Sequence, residues 1–487
     1  MQFPLWILIG VVFLYCLLLY GLSRVISAGA DNSSFFNANR KAPWGLVAYG
    51  MVGASISGVT FISVPGNVIS QNFYYLPMVA GFVLGYFFVA KVLLPQYSKL
   101  ENVSIYSFLS ERCGVSSRKC AAFFFFLSRL LSCAVRVFVV AVVLLSFYKG
   151  ENPALFFVAI VLLYLLLLFL YTFKGGVKTL VWTDVFHTTV MLLAVGIALY
   201  ALIVNMDIGG LGGAFSEVFL SEYSNVFDFR WESSTNFVKQ IVAGFFMTVA
   251  MTGLDQGMMQ KTLGCKDFSS SKKNLYATAG IIFVVNLLFL FFGALLALFV
   301  NKVGGLESLS LGSTDEVFPW IASNVMGGVG IVMFLLGLIS SSYPSSAATV
   351  TSLTSSVYHD FLELDLKKGI SENVLFRKRF FVELAVVFVL FLLIIALYFF
   401  SDDSVLDLIY SLASYTYGPL LGLFAFALWV KKGVQDRFVP FICLASPVLS
   451  YLIHKGLIVI CGFDLGFSLL IINGVITFAG LMLFKKR

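Results

Sequence analysis

The chain runs to 487 residues, of which 60% are hydrophobic and only 12% charged, with 52 Phe, a mean hydropathy of +0.96 and a formal net charge of +7. A water-soluble domain carries about twice that charged fraction to cover its surface, so the composition excludes one. The basic excess follows membrane topology, so no nucleic-acid partner is expected and the lipid bilayer is the expected surroundings.

A bilayer core about 30 Å thick takes roughly 20 apolar residues per helix. Thirteen windows of that kind lie near 5–24, 44–72, 74–98, 119–148, 152–173, 178–205, 236–260, 274–301, 318–358, 379–400, 404–430, 437–460 and 464–484. The first is too long for a signal peptide and has no small-residue cleavage site, so it is expected to remain as a span. With the N-terminus outside, 24 of the 32 Lys and Arg fall in cytoplasmic loops, Lys261, Lys266 and Lys272 among them. The opposite orientation would place them on the wrong side. No polar linker divides the chain, so 1–487 reads as a single membrane domain, and a monomer is expected.

Span 2 is crowded with Gly50, Gly53, Ser55, Ser57, Gly58, Thr60 and Ser63 before Pro65. Span 9 ends in a Ser-rich run from Ser340 to Ser356. Both read as interrupted helices, whose freed backbone groups need protein, water or an ion as partner. Close packing through small residues is the competing reading for each. Span 4 carries Arg129 and Arg136, seven residues apart and hence on one face. A charge at that depth costs at least about 2.5 kcal/mol unless paired or hydrated. Acids within spans are few, and Asp184 in span 6 is awkwardly placed for a permanent pair with Arg136. A carboxylate on a substrate is then the economical partner, since Arg binds one bidentately. The seven Cys have neither disulfide nor metal-ligand spacing. No His-Glu-x-x-His or Gly-x-Ser-x-Gly motif occurs, so no enzymatic activity is expected.

Four motifs in order resemble those of the sodium:solute symporter family, the sodium–glucose cotransporter-like proteins. They are Lys174-Gly175-Gly176 with Trp182-Thr183-Asp184 opening span 6, Gly253-Leu254-Asp255-Gln256-Gly257 in span 7, Asp315 to Pro319 with Tyr358-His359-Asp360 around span 9, and Tyr417-Gly418-Pro419 in span 11. His187 stands where Gln is commoner in the family. The resemblance implies an all-α polytopic membrane protein with a leucine-transporter-type core of five-plus-five inverted repeats. The repeats would cover about 44–205 and 236–430, with helices 5–24, 437–460 and 464–484 peripheral. Cargo in such folds binds near the midplane, where broken helices offer carbonyls and helix ends.

The same resemblance implies a sodium-coupled secondary active symporter that imports a small polar organic solute by alternating access. A carboxylate-bearing solute, an acid sugar or organic acid, fits the two Arg. A neutral sugar or other solute, or a non-transporting solute sensor of the same fold, remains the alternative. Sodium would take carbonyls of Gly53 and Ile56. From span 9 it would take Ser341, the Pro344 carbonyl and Ser345, or one residue on, Ser342, Ser345 and Ser346. Asp184 would be a second cation ligand or a proton-sensitive partner of the span 9 hydroxyls, although the further Ser positions read Ala347 and Ala348, or Ala348 and Thr349. Substrate would meet Ser57, Thr60, Tyr75, Arg129 and Arg136.

Overall fold

The computed structural model describes residues 5–486 except 101–102, 147, 149, 366, 368, 401–404, 462–464 and 466–467, with the backbone alone for 5–9, 146, 405–413 and 461. The long helices in chain order are α1 (Leu5–Ile26), α2 (Trp44–Ser55), α3 (Gly58–Gln71), α4 (Leu76–Tyr97), α5 (Val115–Ser146), α6 (Pro153–Thr172), α7 (Val177–Met206), α8 (Phe237–Gly253), α9 (Gln256–Leu263), α10 (Phe268–Lys302), α11 (Gly327–Phe361), α12 (Glu372–Phe400), α13 (Val405–Trp429), α14 (Val439–Cys461) and α15 (Leu469–Leu483). Eight helices are long and apolar enough to cross a bilayer among the described residues, and two bent pairs bring the number to ten. α1, α13 and α15 fall at the remaining three windows.

The bent pairs are α2–α3 and α8–α9, each turning by 67°. In the first, Ile56 (ψ 108°) and Ser57 (ψ 169°) are extended, which stops α2, and the Ser57 hydroxyl accepts the Thr60 N–H to start α3. In the second, a π-helical turn over Val249–Gly253 ends α8, and Asp255 restarts the chain by accepting the Met258 N–H at 2.9 Å. Ser and Asp suit such positions because a short side-chain oxygen satisfies an otherwise orphaned N–H of the first turn.

Span 9 differs from its expectation. α11 runs unbroken through Pro344 as an α-helix to Ser356, with a π-helical last turn. Its hydroxyls fold back on the helix's own carbonyls: Ser341 donates to Leu338 O, Ser345 to Ser342 O and Thr349 to Ser345 O. Such back-bonding leaves the ladder in place and places polar side chains in a buried helix without a break. The second interruption is therefore in span 7.

α7 packs against α2 and α11, α4 against α8, α10 against both α2 and α3, and α13 against α5 and α15. The two bent pairs thus pack among the straight helices of the bundle. Gly53 makes the α2–α7 seam close, since a Cβ there would lie 2.2 Å from Thr188 Oγ1. Small residues at such seams let backbones approach where no hydrophobic force drives helix association.

Candidate cation and substrate site

The break of α2–α3 leaves the last carbonyls of α2, from Gly53 to Ile56, without the amide partners a continued helix would give. α3 begins against α11, where a Cβ on Gly58 would lie 3.5 Å from the Ser342 Cβ. Five residues earlier on α11, Gly337 faces Phe61 of α3 and Ala194 of α7. Ser341 is one turn on from Gly337 and lies near that face, and Ser345, a further turn on, is rotated by about 80° from Gly337.

The Ser342 and Ser346 hydroxyls are engaged by α6, although the Ser342 Cβ lies beside the start of α3. The Tyr164 hydroxyl of α6 lies 2.7 Å from the Ser342 oxygen and donates to the Ser346 oxygen at 3.0 Å. Ser340 bonds the Tyr15 hydroxyl of α1 at 2.6 Å, and Tyr15 also meets His187 Nδ1 at 2.6 Å. The run of hydroxyls on α11 is thus divided among Tyr164, Tyr15 and the helix's own carbonyls. The Ser341 and Ser345 hydroxyls spend their protons on their own helix, which leaves their lone pairs as acceptors.

Beside the break lies a cavity of about 160 Å³. Ser57, Thr60, Tyr75, Arg129 and Arg136 all line it, together with Tyr86, Thr248, Thr252 and Asn286. Met247, Met251 and Met258 add a soft wall. The lining holds two guanidinium groups and no carboxylate. Ile56 borders the same space, so the carbonyl end of α2 and the cavity are contiguous.

Three charged residues sit differently from expectation. Arg129 is ion-paired with Asp255, whose side chain is fully buried at the start of α9. Asp255 was visible in the sequence only as part of a motif, and its pairing across 126 residues was not. Lys261, assigned from sequence to a cytoplasmic loop, is buried in α9 and bonded to Asp184 of α7. The window for span 7 ended at 260, which placed Lys261 outside. Asp184 therefore faces an ammonium, and its other oxygen has no hydrogen-bond partner among the described atoms. No hydrogen bond joins Asp184 to a span 9 hydroxyl among the described contacts, and the two pairs both connect the first half of the chain to α9.

The comparisons with known proteins agree with this architecture. The model of the sodium:solute symporter family matches residues 35–436. A sodium/sialic acid symporter of Aliivibrio fischeri is 23% identical over 82% of this chain and 78% of its own length. One of Proteus mirabilis is 22% identical over 82% and 79%. A sodium-coupled monocarboxylate transporter of Danio rerio is 23% identical over 68% of this chain and about half of its own length (53%). Among solved structures, a substrate-bound, outward-open sodium-coupled sialic acid symporter superimposes with a TM-score of 0.81 at 18% identity, over 99% of each chain. That likeness gives the fold. Helix order, the paired bends and the family match over most of its length lead to one conclusion: this chain is a multi-pass membrane protein of the sodium:solute symporter family.

Proposed function

We propose that this chain imports a small organic anion, an acid sugar or another carboxylate, together with sodium. The observation that carries the reading is the cavity beside the α2–α3 break, lined by Arg129 and Arg136 without a carboxylate. Asp255 pairs with the Arg129 guanidinium from behind the cavity wall. Arg136 is the group assigned to the substrate carboxylate, and Ser57, Thr60 and Tyr75 supply hydrogen bonds to its neutral polar atoms. The relatives named for sialic acid and monocarboxylates support an anionic solute. A monomer in the bilayer is the proposed assembly.

Proteoliposome uptake with competitors decides the substrate class. Acid sugars and short monocarboxylates are expected to compete, and matched neutral sugars are not. Arg136→Gln should weaken an acid competitor by about tenfold or more, the scale of a lost charge-assisted hydrogen bond, and leave any neutral competitor unchanged. Displacement by neutral or cationic solutes alone would reject the reading.

For sodium the proposed ligands are the Gly53 and Ile56 carbonyls and the Ser341 and Ser345 hydroxyls. Hard cations prefer several oxygens, which these elements supply from two helices. Ser346, with Ser342, belongs to the alternative register; both hydroxyls are engaged by Tyr164, which favours Ser341 and Ser345. Asp184 is assigned a cation that the chain itself supplies, the Lys261 ammonium. With Ala347 and Ala348 in place of further hydroxyls, one sodium per cycle follows. Sodium dependence of uptake should accordingly have a Hill coefficient near 1. Removing the ammonium, as in Lys261→Met, frees Asp184 to recruit a cation from solution. A coefficient well above 1 in the unaltered protein would disprove the single-ion reading.

A further inference from the structure

A second cavity lies away from the transport site, between α4, α8, α13 and α15. It encloses about 470 Å³ and is lined by apolar side chains alone, among them Phe88, Phe246, Phe424 and Phe478. Two of its wall residues, Trp429 and Val475, are 65% and 60% exposed, so the groove opens on the outer surface of the helix bundle. In a membrane protein that surface faces acyl chains, and an apolar groove there is solvated by lipid.

The end of the groove marked by Trp429 carries a basic cluster. Trp429 is the last residue of α13, and the exposed Lys431 and Lys432 follow it. Lys485 and Lys486 follow α15, which forms the opposite wall. Backbone pairing holds the two ends together: Gln435 N–H donates to Phe484 O, and Lys486 N–H donates to Gly433 O at 2.8 Å. None of the four lysines has an ion-pair partner among the described residues. The nearby carboxylate, Asp436, is engaged by the Ser116 and Ser117 amides and the Ser117 hydroxyl at the start of α5. Trp at a helix end is the residue type that settles at headgroup level, so the lysines stand where phosphates lie.

We propose that this groove binds one anionic phospholipid, an acyl chain lying along the apolar wall and the headgroup phosphate held by Lys431, Lys432, Lys485 and Lys486. Basic pockets beside membrane helices on the cytoplasmic side recognise anionic lipid headgroups in this manner. A second copy of the chain is a poorer occupant, because a twofold-related partner in the same membrane orientation would bring an identical lysine patch to the same depth. Val249 lines the groove and opens the π-helical turn that ends α8, so the bound chain touches the break of the α8–α9 pair directly. The lipid thereby braces that break from the membrane side.

The test uses the full-length protein, purified in mild detergent and depleted of lipid, with native mass spectrometry and thermal unfolding as readouts. Phosphatidylglycerol should be retained as one equivalent and raise the unfolding temperature, while phosphatidylcholine of the same chain length and inorganic phosphate should do neither. Each basic residue near a membrane surface contributes about 1 kcal/mol toward anionic lipid, so the double variant Lys431→Gln/Lys432→Gln should weaken phosphatidylglycerol roughly 30-fold. Val475→Trp, at an exposed position where the fold is undemanding, should exclude the chain and abolish retention of the lipid. Equal retention of both phospholipids, unchanged retention in either variant, or a lipid-free dimer that covers the groove would overturn the proposal. Sodium-driven uptake by both variants would report that they fold, and it does not depend on which solute is carried.

Discussion

Asp255→Asn is expected to destabilise the protein more than any other single isosteric change in the cavity region. Asn keeps an oxygen to accept the Met258 N–H, so the start of α9 is retained. What is removed is the charge facing Arg129, a residue only 8% exposed. Breaking one side of a buried ion pair costs about 3–5 kcal/mol, because the remaining charge is left without compensation. Arg cannot shed its proton to escape. The unfolding temperature in detergent should therefore fall sharply. The double variant Arg129→Gln/Asp255→Asn, with neither charge, should recover most of the loss. If the single variant melts like the unaltered protein, the pair is not held in the folded state.

The second large effect concerns sodium. Ser345→Ala should raise the sodium concentration for half-maximal uptake by about tenfold, the scale of a lost hard-oxygen ligand, with little change in the maximal rate once sodium saturates. Ser346→Ala should shift it by no more than about twofold, because that hydroxyl accepts from Tyr164 and lies off the Ser341 and Ser345 face. Reversal of the order, with Ser346 the sensitive position, would select the shifted register and remove Ser341 from the site.

Much of the architecture was legible because a bilayer imposes length and apolarity on every span, and hydropathy reads both directly. The break in span 2 was legible too, since Gly53, Ser57 and Gly58 cluster where the chain turns. Span 9 misled because Ser and Thr look alike whether they cap a break or donate back along a continuous helix. Ser341, Ser345 and Thr349 do the latter, and only hydrogen-bond geometry tells the two apart. The break in span 7 had a local signal, Gly253 followed by Asp255, whose side chain caps the N–H three residues on, which hydropathy does not weigh. The partners of Arg129 and Asp184 were the least accessible. They are 126 and 77 residues away, on a short helix that a hydropathy window cuts at its last basic residue.

The two buried ion pairs at α9 bear on how the membrane potential acts. Asp255 opens α9 and Lys261 lies near its end, so this short helix carries one negative and one positive side chain. These signs oppose the partial charges of its own backbone, positive at the N-terminus and negative at the C-terminus. Arg129 and Asp184 then answer each side chain with its opposite from the first half of the chain. Each pair is neutral in itself, so a displacement of α9 with its partners transfers no net charge through the field. A unit charge carried across 100 mV is worth about 2.3 kcal/mol, and this segment contributes none of it. One sodium with one anionic solute, the cargo proposed above, is neutral as well, so neither it nor these two pairs gives the cycle a voltage dependence.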